Sequence, residues 1–148
     1  MEEQKKQKHE SHSLTAEFIP YESALELKEL GFDEPCNTCY DKLQMVSSYG
    51  KNVFDYKNYN TSGYVVSRPT FSQAFRFFRE QLLLDSCIIP YWFIDGEYKV
   101  KKYTYSIEPS NRFDEYFDCD SDQYDTYEEA RLECLKKLIE IAKEQNVK

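Results

Sequence analysis

Between two strand-like runs, Cys87–Ile94 (CIIPYWFI) and Glu97–Ile107 (EYKVKKYTYSI), the chain reads Asp95-Gly96. An Asp-Gly pair between apolar runs is the strongest short-range hairpin signal, because a type I′ turn needs positive φ at both central residues. A two-residue loop there pairs Phe93 with Tyr98 and Tyr91 with Val100. Pro90 brings no N–H donor, so it marks an edge or a bulge. Neighbouring strand residues alternate faces, so Tyr91, Trp92, Phe93, Tyr98, Tyr103 and Tyr105 cannot all be buried together. Trp92 falls opposite Tyr91 and Phe93 and is expected to face outward. Exposed Tyr and Trp are typical interface anchors. Trp92, Tyr103 and Tyr105 are therefore candidate partner-binding residues. A second layer or a homo-oligomer contact over the same face is the alternative.

The spacing predicts three helices around this hairpin. The first runs from about Pro20 to Leu30, with Ala24, Leu27 and Leu30, joined by Leu25, as its buried stripe. Gly31 is placed to stop it in a left-handed conformation, with Phe32 packing back on Leu27. The second runs from Thr70 to about Leu84. Thr70 and Gln73 have capping-box spacing. Phe71, Ala74, Phe75, Phe78 and Leu82 lie on one face, and Arg76 and Glu80 are set for an i,i+4 pair. The third runs from Thr126 to about Glu144, again with capping-box spacing at Thr126 and Glu129. It buries Ala130, Cys134, Leu138 and Ile141, with Leu135 and Ala142, while Arg131, Glu133, Lys136, Lys137 and Glu140 decorate its other sides. Asn37–Tyr40 and Leu43–Ser47 are read as a short hairpin. Ser48 to Ser67 read as a long loop, with Tyr64–Val66 its best strand candidate.

The element order is then α-β-β-α-β-β-(β)-α, an α+β fold in which an antiparallel sheet of hairpins carries about three helices on one face, a two-layer sandwich. Residues 1–14 are charged and nearly free of apolar residues, and are expected to be a disordered tail. Residues 15–148 are expected to be one domain. The 148-residue length suits that, and the 13 Tyr and 10 Phe supply a well-filled core.

A formal charge of −8 argues against nucleic acid as a partner, since an acidic chain repels phosphate. The short basic runs, Lys5, Lys6, Lys8 and Lys99, Lys101, Lys102, are read as solvated surface. No window approaches the ~20 apolar residues of a membrane span, so no membrane is expected either. The charged beginning carries no secretory signal. Together with 5 Cys, an odd count, it points to thiols in a reducing cytoplasm.

Three stretches, FIPYESALELKELGFDEPC at 18–36, PTFSQAFRFFRE at 69–80 and TYEEARLECLKKLIEI at 126–141, resemble a family of small uncharacterised proteins of gut Bacteroides-type bacteria, their phages and mobile elements. The resemblance covers about a third of the chain, at well-spaced points in the same order. It implies a setting, an accessory protein of phage or mobile-element origin in a bacterial cytoplasm or phage-infected cell, and no cofactor or catalytic residue.

Four candidate sites can be weighed. In the first, Asp118, Asp120, Asp122 and Glu129 occupy positions 1, 3, 5 and 12 of an EF-hand calcium loop, where hard oxygens would surround the ion. Gln123 replaces the Gly of position 6, however, and Glu129 is already suited to capping the third helix. A solvated acidic loop is the competing reading. In the second, Cys36-Asn37-Thr38-Cys39 is a lone CxxC that needs two further ligands for zinc, and His9 and His12 lie in the tail. It follows a helix end, the wrong polarity for a redox thiol. In the third, Arg68, Arg76 and Arg79 are candidates for an anion site beside the second helix's N-terminus. The fourth is catalytic. With both His in the tail, no nucleophile–base pair is apparent, and an enzyme with an unrecognised site ranks behind partner binding and calcium binding. The reading that leads is a non-enzymatic protein that docks a partner protein.

Overall fold

The computed structural model describes residues 14–48, 55–110 and 122–146. The tail with His9 and His12, and the stretch holding Asp118, Cys119 and Asp120, lie outside the described residues.

After a short 3-10 turn at Leu14–Glu17, helix α1 spans Tyr21–Glu29. It ends where the sequence places the stop. Gly31 sits at φ 93, Phe32 N–H donates to the Leu27 carbonyl at 2.9 Å and Gly31 N–H to that of Lys28 at 3.1 Å. These are the two crossed bonds of a Schellman ending. Leu27 and Phe32 are buried, whereas Leu25 points outward at 37% exposure, on the far side of the Ala24–Leu27 stripe.

Strands β1 (Thr38–Tyr40), β2 (Val46–Ser47) and β3 (Val66–Arg68) form an antiparallel sheet in the order β2-β1-β3. The β1–β2 turn lacks Gly. Instead, Asp41 Oδ1 accepts from the Leu43 and Met45 N–H groups at 2.8 and 3.0 Å, and Gln44 takes the positive φ of 60. The third strand begins two residues later than the Tyr64–Val66 reading and precedes α2. The segment before it is pinned by side chains. Asn60 bonds the Phe32 carbonyl and the Ser67 N–H, both at 2.8 Å, and Lys28 Nζ donates to the Ser62 and Val65 carbonyls at 2.9 Å.

Helix α2 spans Phe71–Gln81 with the expected Thr70/Gln73 capping box complete. Its buried face is Phe71, Ala74, Phe77 and Phe78. Phe77 takes the place expected of Phe75, which is only partly buried. Leu83, at φ 56, turns the chain into a long hairpin of β4 (Leu84–Asp95) and β5 (Tyr98–Pro109). Helix α3 (Tyr127–Asn146) closes the chain. Glu129 N–H donates to Thr126 Oγ1 at 3.1 Å and the Glu129 carboxylate accepts from Thr126 N–H at 3.4 Å.

The expected α+β class holds, but the strands divide into two sheets. α1 packs on β3, α2 on β4, and α3 on both strands of the hairpin. Buried residues from Ile19 to Ala142 make one apolar cluster. Arg131, expected at the surface, is 8% exposed. Its guanidinium lies 4.1 Å from the Phe71 ring centroid and donates to the Ala16 carbonyl at 2.9 Å. Those partners come from far along the chain, so the long apolar stem lies inside while the charged head is bonded.

Candidate functional site

The β4–β5 hairpin is two 12-residue strands paired from Leu84↔Pro109 to Asp95↔Tyr98. Its turn residues are therefore Gly96-Glu97, not Asp95-Gly96. Only Gly96 has positive φ (63), the pattern of a type II′ turn with Gly first. The register moves by two residues, pairing Phe93 with Val100 and Tyr91 with Lys102. An even shift leaves every side chain on its expected face.

Tyr103 exchanges both backbone bonds with Tyr124, each 2.9 Å, on the side away from β4. Backbone groups alternate sides along a strand. Hence Pro90, opposite Tyr103, has its missing donor on the outer edge, as does Pro109 opposite Leu84. Neither proline removes a ladder bond, which is why a proline fits inside so long a strand.

One face of the hairpin carries, from base to tip, Leu84, Ser86, Ile88, Pro90, Trp92 and Ile94 on β4, and Pro109, Ile107, Tyr105, Tyr103, Lys101 and Lys99 on β5. No carboxylate is among them. The base half is core: Leu84, Ile107 and Tyr105 are 1%, 0% and 7% exposed. The distal half is open: Trp92 is 54% and Ile94 80% exposed. Lys99 Nζ lies 4.7 Å and Lys101 Nζ 5.4 Å from the Trp92 ring centroid, and Lys101 Nζ is 5.0 Å from that of Tyr103. Each such exposed contact contributes about 0.5–1 kcal/mol, enough to order the ring but not to bury it. On the opposite face Ile89, Phe93 and Tyr98 are exposed as well, with the Tyr91 and Phe93 rings stacked at 6.4 Å.

Of the three candidate partner-binding aromatics, Trp92 stands clear and Tyr103 is half-buried, edge-on to Tyr127. Tyr105 is corrected. It stacks on Tyr124 in the core and is not part of the surface, because the strand has already entered the body by that residue. The aliphatic and basic neighbours, Ile94, Lys99 and Lys101, complete the surface. Their membership depends on where the hairpin leaves the body, which no local pattern states.

The remaining sites are placed as follows. Asp122 is exposed, and the Glu129 carboxylate accepts from the Asp125 and Thr126 N–H groups at 3.2 and 3.4 Å, as a helix cap. Among the described residues no group of three or more His, Cys, Asp or Glu is arranged for a metal. Cys36 and Cys39 are both buried, their thiols directed at the Glu34 and Ser47 carbonyls. Burial, aided by Glu34, pushes the Cys36 thiol up to about 12. Burial likewise raises Cys39. Both are held as neutral thiols rather than thiolates. Arg68 does not join Arg76 and Arg79. It is 7% exposed, its guanidinium 3.9 Å from the Phe18 ring centroid. Arg76 pairs with Glu34 instead of Glu80, and Glu80 lies 3.5 Å from Arg79. Arg76 and Arg79 line a cleft of about 450 Å³ with Ser72, Ser86, Cys87 and Tyr127. No helix is long and apolar enough to cross a membrane among the described residues.

Compared with known proteins, the chain matches no family model, no curated protein and no solved structure.

Proposed function

We propose that this chain is a binding protein that docks a partner protein on the distal half of its β4–β5 hairpin. One observation carries the reading: five large apolar side chains stand exposed on the distal hairpin, Trp92 and Ile94 on one face and Ile89, Phe93 and Tyr98 on the other. Single exposed apolar residues scattered over a surface need no explanation, but five concentrated on one short stretch of hairpin do. Trp and Tyr among them are the residue types that anchor interfaces. The resemblance of the three sequence stretches supports the setting, an accessory protein of phage or mobile-element origin in a bacterial cytoplasm.

The test compares the wild-type chain with a Trp92→Ser, Ile94→Ser, Tyr98→Ser variant as bait in lysate of the source or host cells. The variant keeps the wild-type circular dichroism and melting temperature and loses a partner that the wild type retains in stoichiometric amount. Equal retention by both removes the arm as the docking surface.

A further inference from the structure

The open edge of β5 is more informative than the exposed rings. Tyr103 gives its N–H and C=O to Tyr124, so by the two-residue alternation the N–H and C=O of Lys101 and Lys99 also point away from β4. The segment that covers Tyr103 goes no further. Its next rung would be Thr126 against Lys101, but the Thr126 N–H is taken by Glu129 as α3 begins. Among the described residues nothing pairs with this edge between Tyr103 and the turn. The other edge of the hairpin is blunted by Pro90, which has no donor to offer there.

The chemistry of this edge is one-sided. Lys99 and Lys101 project on the face that holds Trp92 and no carboxylate, in a chain of net charge −8. The chain itself shows what the edge accepts. Asp122-Gln123-Tyr124-Asp125 passes beside it, acidic and aromatic, with Tyr124 in a single backbone bridge and the Asp125 carboxylate on Lys102 Nζ. A guest strand laid further along the same edge sets alternate side chains beside Lys99 and Lys101, where carboxylates find the cations that lie over Trp92, while the intervening apolar side chains fall on the opposite face beside Val100.

We infer that the outer edge of β5 at Lys99 and Lys101 is a strand-addition site for an extended acidic segment of a partner protein. This rests on the docking role proposed for the arm and names its partner's chemistry. Other polyanions fit less well. Asp95 and Glu97 flank the tip and would lead into a nucleic-acid or anionic-membrane surface, whereas Asp125 already occupies Lys102.

Trp92 is the single Trp of the chain, so its emission reports this face alone. The probe is an eight-residue peptide alternating Glu and Val, followed by Trp92 fluorescence and by amide hydrogen exchange. Binding is expected to shift the emission saturably. It slows exchange of the Lys99 and Lys101 amides at least tenfold and leaves Val100 and Lys102, already bonded to β4, unchanged. A Lys99→Glu, Lys101→Glu variant weakens binding at least tenfold and gains binding of the matching Lys-Val peptide. That rescue separates lost charge complementarity from a damaged fold. A peptide N-methylated at every residue, which has no donor left for either edge, does not bind. If the emission shifts but the two amides exchange as before, or the N-methylated peptide binds equally, strand addition is wrong while docking on the arm stands. Equal binding of the Lys-Val peptide by the wild type overturns the acidic partner. So does a response to anionic vesicles or an oligonucleotide but not to the peptide, or a dimer in sedimentation that the double variant abolishes. Failure of the peptide together with equal lysate capture by the tip variant removes both the inference and the reading beneath it.

Discussion

Ile107 and Ile94 are the same residue type, on the same face of the same hairpin, yet one is 0% exposed and the other 80%. The difference is where the arm leaves the body. Near its base the hairpin is a core element, covered by α2 and α3 around Leu84, Tyr105 and Ile107. Beyond Pro90 and Tyr103 it keeps its register, and β4 stays apolar while β5 turns basic, but it loses its cover. Apolar side chains in the base contribute to folding because they leave water on folding. Those at the tip stay wet in the isolated chain, so fold stability does not account for them. Two parts of one secondary-structure element thus do two jobs, and the ladder of hydrogen bonds ties the second to the first.

The largest effect should separate the two isoleucines. Ile107→Ala is expected to cost about 2–5 kcal/mol in urea denaturation, the range for opening a cavity in a packed core. Ile94→Ala should stay within about 0.5 kcal/mol of wild type. Comparable losses at both positions would mean that the tip is part of the fold.

Cysteines sharpen the contrast between body and arm. Cys36 is buried in the body, whereas Cys87 is exposed on β4. The Cys36 thiol keeps its proton up to about pH 12 in the folded chain, against an ordinary value of 9.0, through burial first and Glu34 and Cys39 next, with Ser67 opposing. Above pH 9 the unfolded chain therefore binds fewer protons than the folded one, and stability falls as the pH rises toward 12. Cys36→Ala should be less stable at pH 7 but decline less steeply between pH 9 and 12. An unchanged slope in the variant would assign the alkaline loss to other groups.

The smallest effect lies at the turn. Gly96 has φ 63 and nothing within 4 Å of where a Cβ would stand, so Gly96→Ala meets only backbone strain. A loss of about 1 kcal/mol is expected. It should appear as faster amide exchange confined to the distal hairpin, with the base amides unaffected. Acceleration that spreads to Leu84 and Ile107 would show arm and body unfolding as one unit.

How far these features were legible depends on how local their causes are. Both capping boxes, the Gly31 stop and the existence of the hairpin follow from residues within four positions of one another, and all are found. The register missed by two because Asp-Gly suits a type I′ turn and Gly-Glu a type II′ turn, and the strands on both sides accept either. Phe71, Phe75, Phe77 and Phe78 offer two overlapping helix faces, and contact with the rest of the body, including Phe32 against Phe77 at 5.4 Å, selects between them. Arg131 looked like surface because Ala16 and Glu17, its partners, are over a hundred residues away. Alternation placed Trp92 opposite Tyr91 and Phe93 but did not give its exposure: it shares its face with buried Leu84, Tyr105 and Ile107, and is open only because it lies beyond the body, as Phe93 is on the other face. The cations over its ring were not legible either, since which Lys faces it depends on the register.

The most direct measurement is photo-crosslinking in the source cells from a benzoylphenylalanine placed at Ile94, against the same probe at Glu144, an exposed position on α3. The account predicts one discrete partner adduct from position 94 and none from position 144. Equal yields at both positions, or no adduct from 94 while other surface positions give one, would contradict it.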